Sequence, residues 1–220
     1  MANARSSVSI SGLKFSRTEL KDLGVAWLAL GLAFALFFEG GAGAVETLTS
    51  TGGIALIGVS LLTAGIAFLL HELAHKVTAI RFGQIAEFRA DYGMLFLALM
   101  SALLGFIFAA PGAVHHRGRV TEREHGLIAL AGPAVNLALA VVFLPVLGLA
   151  LVGGSELLAV LGARGVAINV FLAAFNLIPY GPLDGKTVFG WNKPVWAVTL
   201  AVSIAATIVF MYGPTGALVF

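Results

Sequence analysis

The chain has 220 residues, of which 59% are apolar and only 11% are charged, and its formal net charge is +2. A soluble domain carries about a quarter charged residues, so this composition favours a membrane protein. Cysteine is absent, which excludes disulfides, thiolate zinc sites and a cysteine nucleophile. The chain also lacks the basic cluster that a nucleic-acid partner requires, so we expect no nucleic acid among its partners.

Six apolar runs follow a polar N-terminal segment, residues 1–22. The runs fall at about 23–38, 53–75, 94–110, 126–152, 157–180 and 194–212. A helix needs roughly 20 residues to cross the hydrocarbon layer. The sequence therefore predicts an all-α polytopic membrane protein, a bundle of five to six transmembrane helices over 23–212 with a C-terminal tail at 213–220. Arg164 interrupts the fifth run, and we expect it to lie near one interface or to snorkel.

The charges of the loops predict the orientation of the chain. Lys and Arg occur in the N-terminal segment and in the loops at 76–93, 111–125 and 181–193, and they are absent from 39–52, 153–156 and the tail. Basic loops are typically cytoplasmic, so we expect the N-terminus inside and the C-terminus outside. Both loops beside 94–110 are basic, which favours a run that enters and leaves from the cytoplasmic side. Six ordinary spans are the alternative.

The strongest motif is His71-Glu72-Leu73-Ala74-His75, at the end of the second apolar run. Residues i and i+4 lie on one face of a helix, so the two imidazoles can bind one zinc ion. The glutamate between them is suited to act on water as a general base. Ionisable residues at the edge of an apolar run usually face the bundle interior and carry function. The alternative is a polar helix end at the interface.

A catalytic zinc site usually has three protein ligands and one open position, so a third ligand is needed. The candidates are the acidic residues and histidines of the later loops: Asp91, His115, His116, Glu122, Glu124, His125 and Asp184. Asp184 is favoured because the prolines and glycines of 176–185 predict irregular backbone at the membrane edge. The predicted topology also brings Asp184 to the same side as His71 and His75. The alternative is a helix-ending turn with Asp184 in water.

Three motifs occur in a fixed order along the chain: His71–His75, Gly132–Asn136 and Asn176–Gly185. Together they resemble the site-2 protease family of intramembrane zinc metalloproteases, which carries HExxH, Gly-Pro-x-x-Asn and Asn-x-x-Pro-x-x-x-x-Asp-Gly in successive core spans. The resemblance covers about 53–190 and is to a minimal member without a PDZ or CBS domain. Lys186 departs from the second glycine that often follows Asp-Gly in the family. The resemblance implies zinc ligands His71, His75 and Asp184, the catalytic residue Glu72, and substrate-backbone contacts from Asn176 and Asn136.

The segment Pro111–Val120 resembles a short strand region that follows the HExxH helix in the family, and a plain basic loop is the alternative. On a strand, His115 and His116 would face opposite sides, and we expect neither to bind metal. A strand edge here could hold an unwound substrate through main-chain hydrogen bonds. We therefore expect a re-entrant or strand insertion at 94–120, on the cytoplasmic side.

The predicted function is hydrolysis of a peptide bond within or near a transmembrane segment by a zinc metalloendopeptidase, as in regulated intramembrane proteolysis. The expected cofactor is Zn2+, the expected partners are a transmembrane protein substrate and the lipid bilayer, and the expected location is the cell membrane with the active site toward the cytoplasm. One alternative is a catalytically silent zinc-binding homologue, which the intact Glu72 disfavours. A zinc-containing transporter is another, but the paired broken helices of an inverted repeat are missing. The sequence does not indicate an oligomeric state.

Overall fold

The computed structural model describes residues 7–10, 12–108 and 111–220. The α-helices in these residues are α1 Arg17–Phe38, α2 Ala44–Thr49, α3 Thr51–Ser60, α4 Ile66–Arg81, α5 Tyr92–Leu103, α6 Glu122–Gly153, α7 Glu156–Asn176, α8 Asp184–Trp191 and α9 Lys193–Tyr212. The strands are β1 Ser7–Ile10, β2 Leu13–Ser16, β3 Ile85–Ala90 and β4 Gly112–Arg117. A π-helical turn, Leu61–Gly65, joins α3 and α4 into one continuous helix, Thr51–Arg81.

Five helices in the described residues are long and apolar enough to cross a membrane: α1, the joined α3–α4 helix, α6, α7 and α9. The predicted all-α polytopic bundle is therefore confirmed. Two boundaries differ from the prediction. Helix α1 begins at Arg17, inside the polar N-terminal segment 1–22. The Ser16 side chain caps the helix there, because it accepts a hydrogen bond from the Glu19 backbone N–H at 3.0 Å. Helix α7 ends at Asn176, before Pro179, rather than at 180.

The apolar run 94–110 leaves a small sheet and returns to the same sheet, and its last two residues, 109–110, lie outside the described residues. Strands β3 and β4 pair antiparallel with Ala90 opposite Gly112, and the Asp91 N–H donates to the Pro111 carbonyl at 3.0 Å. Between them α5 has 12 residues, which is about 18 Å of helix against roughly 30 Å of hydrocarbon. The chain therefore returns to the sheet that it left, and entry from the cytoplasmic side of the membrane stays a prediction. Strand β3 was not predicted, because 76–93 was interpreted only as a basic loop.

Helix α6 packs against α4 and α7, and α7 also contacts the π-helical turn that joins α3 to α4. The contact of α6 with α7 depends on small residues. A Cβ at Gly162 would lie 2.5 Å from the backbone nitrogen of Leu147, and one at Gly165 would meet the Phe143 ring. Small residues of this kind let membrane helices approach closely. The packing places α4, α6 and the end of α7 around one interior space.

Two further segments differ from their predictions. Residues 7–10 and 13–16 of the N-terminal segment form the hairpin β1–β2, while residues 1–6 and 11 lie outside the described residues. Arg164 does not snorkel, whereas its expected position near an interface stays a prediction. It is buried, its guanidinium pairs with the Glu39 carboxylate at 2.9 Å, and its Nε donates to the Val219 carbonyl at 3.0 Å. A charge buried in a bundle is tolerated when it is paired and hydrogen-bonded in this way.

Candidate active site

His71 and His75 lie on one face of α4, with ring centroids 4.7 Å apart, and both side chains are buried. His71 is ten residues before the helix end at Arg81, or roughly 15 Å along the helix axis. The pair is therefore recessed within the bundle rather than at the tip of the helix. This excludes the alternative of a polar helix end in water.

Asp184 is the first residue of α8, and its position depends on the glycine that follows it. A Cβ at Gly185 would lie 2.0 Å from the Leu177 carbonyl oxygen, so only glycine lets α8 begin directly against the end of α7. Leu177 is itself fully buried, and its carbonyl accepts from the Trp196 indole N–H at 2.8 Å. The Asp-Gly pair thus turns the aspartate inward, toward α4.

The Asp184 carboxylate meets both histidines. Its Oδ2 lies 3.2 Å from His71 Nε2 and 3.4 Å from His75 Nε2. Donors bound to a tetrahedral zinc ion at 2.0–2.2 Å are roughly 3.3–3.6 Å apart, so these separations match two edges of such a site. Oδ2 is buried and has no hydrogen-bond partner among the described residues.

Both histidines are fixed in the tautomer that leaves Nε2 free for a metal. His71 Nδ1 lies 2.6 Å from Asn136 Oδ1, and His75 Nδ1 lies 2.7 Å from the Ile128 carbonyl oxygen. Each partner is an acceptor, because the Asn136 amide nitrogen already donates to Ala67 and Asn169 oxygens at 3.2 and 2.9 Å. The Nδ1 atoms must therefore carry the protons. Outer partners of this kind orient metal-binding histidines.

Asn136 is therefore not placed as the family resemblance implied. It is completely buried and all of its amide contacts are internal, so it cannot contact a substrate backbone in this arrangement. Asn136 instead supports the His71 ring through the hydrogen bond to its Nδ1 atom. Asn169 extends the support, since its own amide nitrogen donates to the Gly165 carbonyl at 2.8 Å. The sequence analysis missed Asn169, although its four-residue spacing from Gly165 in an apolar helix was a signal.

Gly132 was quoted only as part of a motif, but it has a specific role in the geometry. A Cβ at this position would lie 2.5 Å from the Nε2 atoms of both His71 and His75. Glycine therefore keeps open the space on which the three donor atoms converge. Ile128, Gly132 and Asn136 are spaced by four residues, which puts all three on the face of α6 that supports the histidines. That periodicity was a signal in the sequence.

Glu72 and Asp184 are rival carboxylates for the third ligand. Donor atoms of His71, Glu72 and His75 all lie within 4.8 Å of one another, so this trio alone could hold an ion. However, Glu72 Oε2 already accepts the Val114 backbone N–H at 3.0 Å, whereas Asp184 Oδ2 has no such partner. The donor distances and the free oxygen favour Asp184 as the ligand. Glu72 is left beside the site with one carboxylate oxygen unused by Val114.

Asn176 lies at the end of α7 and is half-buried, and its amide nitrogen donates to the Leu172 carbonyl at 2.9 Å. Two of the remaining ligand candidates cap helices instead: Asp91 caps α5 and Glu124 completes a capping box on α6. His115 is exposed and His116 half-buried, as the predicted alternation on a strand requires. Burial and then the neighbouring His125 lower the pKa of His116.

Comparison with known proteins gives a consistent result. The chain is 38% identical over 191 residues to the "Putative zinc metalloprotease MJ0611" of Methanocaldococcus jannaschii, a match that covers 86% of this chain and 92% of the relative. It is 31% identical over 153 residues to the "Putative zinc metalloprotease YwhC" of Bacillus subtilis, covering 61% and 69% of the two chains. It is 36% identical over 137 residues to the "Putative zinc metalloprotease Rip2" of Mycobacterium tuberculosis, covering 54% and 51%.

The chain belongs to this zinc metalloprotease family. A scan against models of protein families finds no match, and no solved structure matches the chain. The family predicted from the three motifs is confirmed, and zinc is the cofactor that the names of these zinc metalloproteases give. The free aspartate oxygen, the two free Nε2 atoms and the space beside Gly132 are the features that fit such an ion.

Proposed function

We propose that the chain is an intramembrane zinc metalloprotease that hydrolyses a peptide bond within or near a transmembrane segment of another protein. One observation carries this proposal. Donor atoms of His71, His75 and Asp184 lie close together inside the bundle, next to the Glu72 carboxylate. In a bundle with five candidate spans, such a site can reach a substrate segment only at or near the depth of the membrane.

His71, His75 and Asp184 would hold the zinc ion, and one position would stay open for the reaction. Zinc supplies Lewis-acid chemistry, since it polarises a carbonyl and lowers the pKa of water from about 15.7 toward 7. The protein supplies the rest. Asn136 and the Ile128 carbonyl hold the rings in position, and Gly132 keeps the space clear.

Glu72 would act as general base and then as general acid. Its Oε2 is held by the Val114 N–H, which leaves Oε1 to take a proton from the attacking water. The same carboxyl group would then pass this proton to the leaving amine. Because Val114 belongs to β4, the strand and the general base are fixed relative to each other.

The outer edge of β4, apart from the Val114 N–H that Glu72 accepts, is the proposed binding edge for the substrate. Burial alternates along Gly112–Arg117, and β4 is paired with β3 on one side only in the part of the chain that the structure describes. An unwound substrate could add to the other edge as an extended strand held by main-chain hydrogen bonds. Asn176, half-buried at the end of α7, remains a candidate for contact with the substrate backbone.

A cavity of about 490 Å³ lies beside Asp184, between the first turn of α6 and the segment that leads into α8. It is lined in part by Glu122, His125, Leu183 and Lys186. The charged residues around it favour an aqueous opening through which water enters and products leave. By the distribution of basic loops, we propose that this side faces the cytoplasm.

The proposal is tested with a single-span substrate in detergent, with wild type, Glu72→Gln and Asp184→Ala measured side by side. Glu72→Gln should bind zinc and fail to cleave, because the amide cannot take the proton. Asp184→Ala should lose both zinc and cleavage, and a chelator should stop the wild type reversibly. Cleavage by Glu72→Gln at the wild-type rate would refute the mechanism, and full zinc content in Asp184→Ala would refute the ligand.

A further inference from the structure

A carboxylate accepts a backbone hydrogen bond from each outer edge of the sheet β3–β4. The two donor residues are paired with each other across the sheet, in one row. Phe88 of β3 stands directly opposite Val114 of β4. The Val114 N–H donates to Glu72 Oε2 at 3.0 Å, and the Phe88 N–H donates to Glu19 Oε1 at 3.0 Å. In an antiparallel pair the N–H groups of alternate rows point away from the partner strand, so these two donors point in opposite directions. One row of the sheet is thus held from both sides.

Glu19 is paired with a buried lysine that comes directly after the zinc-ligand candidate His75. Lys76 Nζ lies 2.5 and 2.6 Å from the two Glu19 carboxylate oxygens and donates to the Lys14 carbonyl at 2.9 Å. It also lies 3.9 Å from the centroid of the Phe15 ring. Lys76 is 0% and Glu19 1% exposed. Every polar atom of this pair therefore has a partner, without the aid of solvent.

These contacts form a closed connection between α4 and the sheet. Glu72 reaches β4 directly, and Lys76, one helical turn later on α4, reaches β3 through Glu19 of α1. A second contact between α1 and β3 is weaker, because the Asp22 carboxylate accepts the Ala90 N–H at 3.4 Å. Glu19 is the contact in the row of Val114. A shift of Phe88 must therefore move Val114, and with it the hydrogen bond to Glu72.

We propose that Glu19 and Lys76 are positioning residues that set the register of β4 against the catalytic Glu72. They touch neither the metal-ligand atoms nor the β4 edge. They act by holding Phe88, whose partner Val114 both orients Glu72 and lies in the strand that receives the substrate. This inference rests on the proposed protease function for its kinetic consequence, although the structural consequence can be measured without it.

The test removes the buried charges in two ways that differ in the side chain at position 19, which decides whether Phe88 keeps an acceptor and the Lys14 carbonyl a donor. The double variant Glu19→Leu with Lys76→Met keeps the apolar volume but offers Phe88 no acceptor. The double variant Glu19→Gln with Lys76→Met keeps an acceptor oxygen, and its amide nitrogen can donate to the Lys14 carbonyl. Replacing both partners avoids leaving one buried charge without the other.

The leucine variant should bind zinc fully but lose roughly 10- to 100-fold in kcat with little change in KM, as expected for a displaced catalytic group. The glutamine variant should recover most of that loss. Amide hydrogen exchange in 112–117 should be faster in the leucine variant and near wild type in the glutamine variant. The other buried pair gives a matched control, since Arg164→Met with Glu39→Gln should lower Tm and leave kcat unchanged.

Equal kcat and equal exchange in the leucine and glutamine variants would overturn the inference, because the acceptor would then not matter. If the leucine variant does not fold, Glu19→Asp replaces it, since the shorter side chain keeps the charge but cannot reach both Lys76 and Phe88. Wild-type exchange and kcat in Glu19→Asp would likewise overturn the inference. If no variant cleaves, wild type included, the protease proposal fails while the exchange data still decide the positioning role.

Discussion

Replacement of Gly132 by alanine tests whether a metal ion occupies the space between His71, His75 and Asp184. In the interior of a helix, alanine is favoured over glycine by about 1 kcal/mol, so the helix itself should gain stability. The new Cβ would lie 2.5 Å from both Nε2 atoms, whereas ordinary contact needs at least 3.5 Å. Both rings, or the α6 backbone, must therefore move by about 1 Å, whereas metal–ligand distances hold to within about 0.2 Å.

We expect Gly132→Ala to fold without a large loss of Tm, because the gain in helix stability offsets part of an overpacking cost of about 1–3 kcal/mol. It should lose more than 100-fold in zinc affinity, which exceeds the 10- to 100-fold typical of outer partners. Zinc content after dialysis against a graded chelator measures the loss. Gly148→Ala on the same helix is the control, since its Cβ would meet nothing within 4 Å. Full zinc affinity in Gly132→Ala would show that the ion does not lie between the histidines, and a large loss of Tm would point to general disruption.

Three further outcomes follow from the contacts. Asn136→Ala should lower zinc affinity about 10- to 100-fold without changing the pattern of substrate cleavage, because the residue orients His71 and is too buried to reach a substrate; zinc competition titrations measure this. Lys76→Met alone should destabilise the protein by about 3–5 kcal/mol, since it leaves Glu19 charged, buried and unpaired. A second change at Glu19 should restore the free energy of unfolding, which denaturation curves measure. In sealed vesicles, Ile85→Cys and Ala113→Cys should react with a thiol reagent from the same side, and labelling from opposite sides would contradict the shared sheet.

The sequence predicted the parts of this molecule that depend on local patterns. Apolar runs were enough for the five candidate spans and for the short helix between them. Spacing alone brought His71 and His75 together. The irregular backbone predicted at 176–185 and the predicted topology favoured Asp184, and the family resemblance implied the same residue. These are properties of helices and of short motifs, which need no knowledge of long-range packing.

The rest depended on contacts between distant residues. Strand β3 carries no strand pattern that separates it from a loop, and it exists because β4 and α1 supply its partners. Asn136 was taken as a substrate contact because a buried amide and an exposed amide look alike in sequence. The Glu19–Lys76 pair joins residues that are 57 apart in the chain, and the sequence around neither residue predicts its burial.

We propose above that this site cuts a membrane-embedded peptide bond with the aid of zinc. The most direct measurement is mass spectrometry of the products from a single-span substrate reconstituted in liposomes with the wild-type protein. We expect a cut within or beside the apolar segment of the substrate. Glu72→Gln and chelation should abolish this cut, and added zinc should restore it after chelation. Cuts confined to water-exposed loops of the substrate, or the same products from Glu72→Gln, would contradict it.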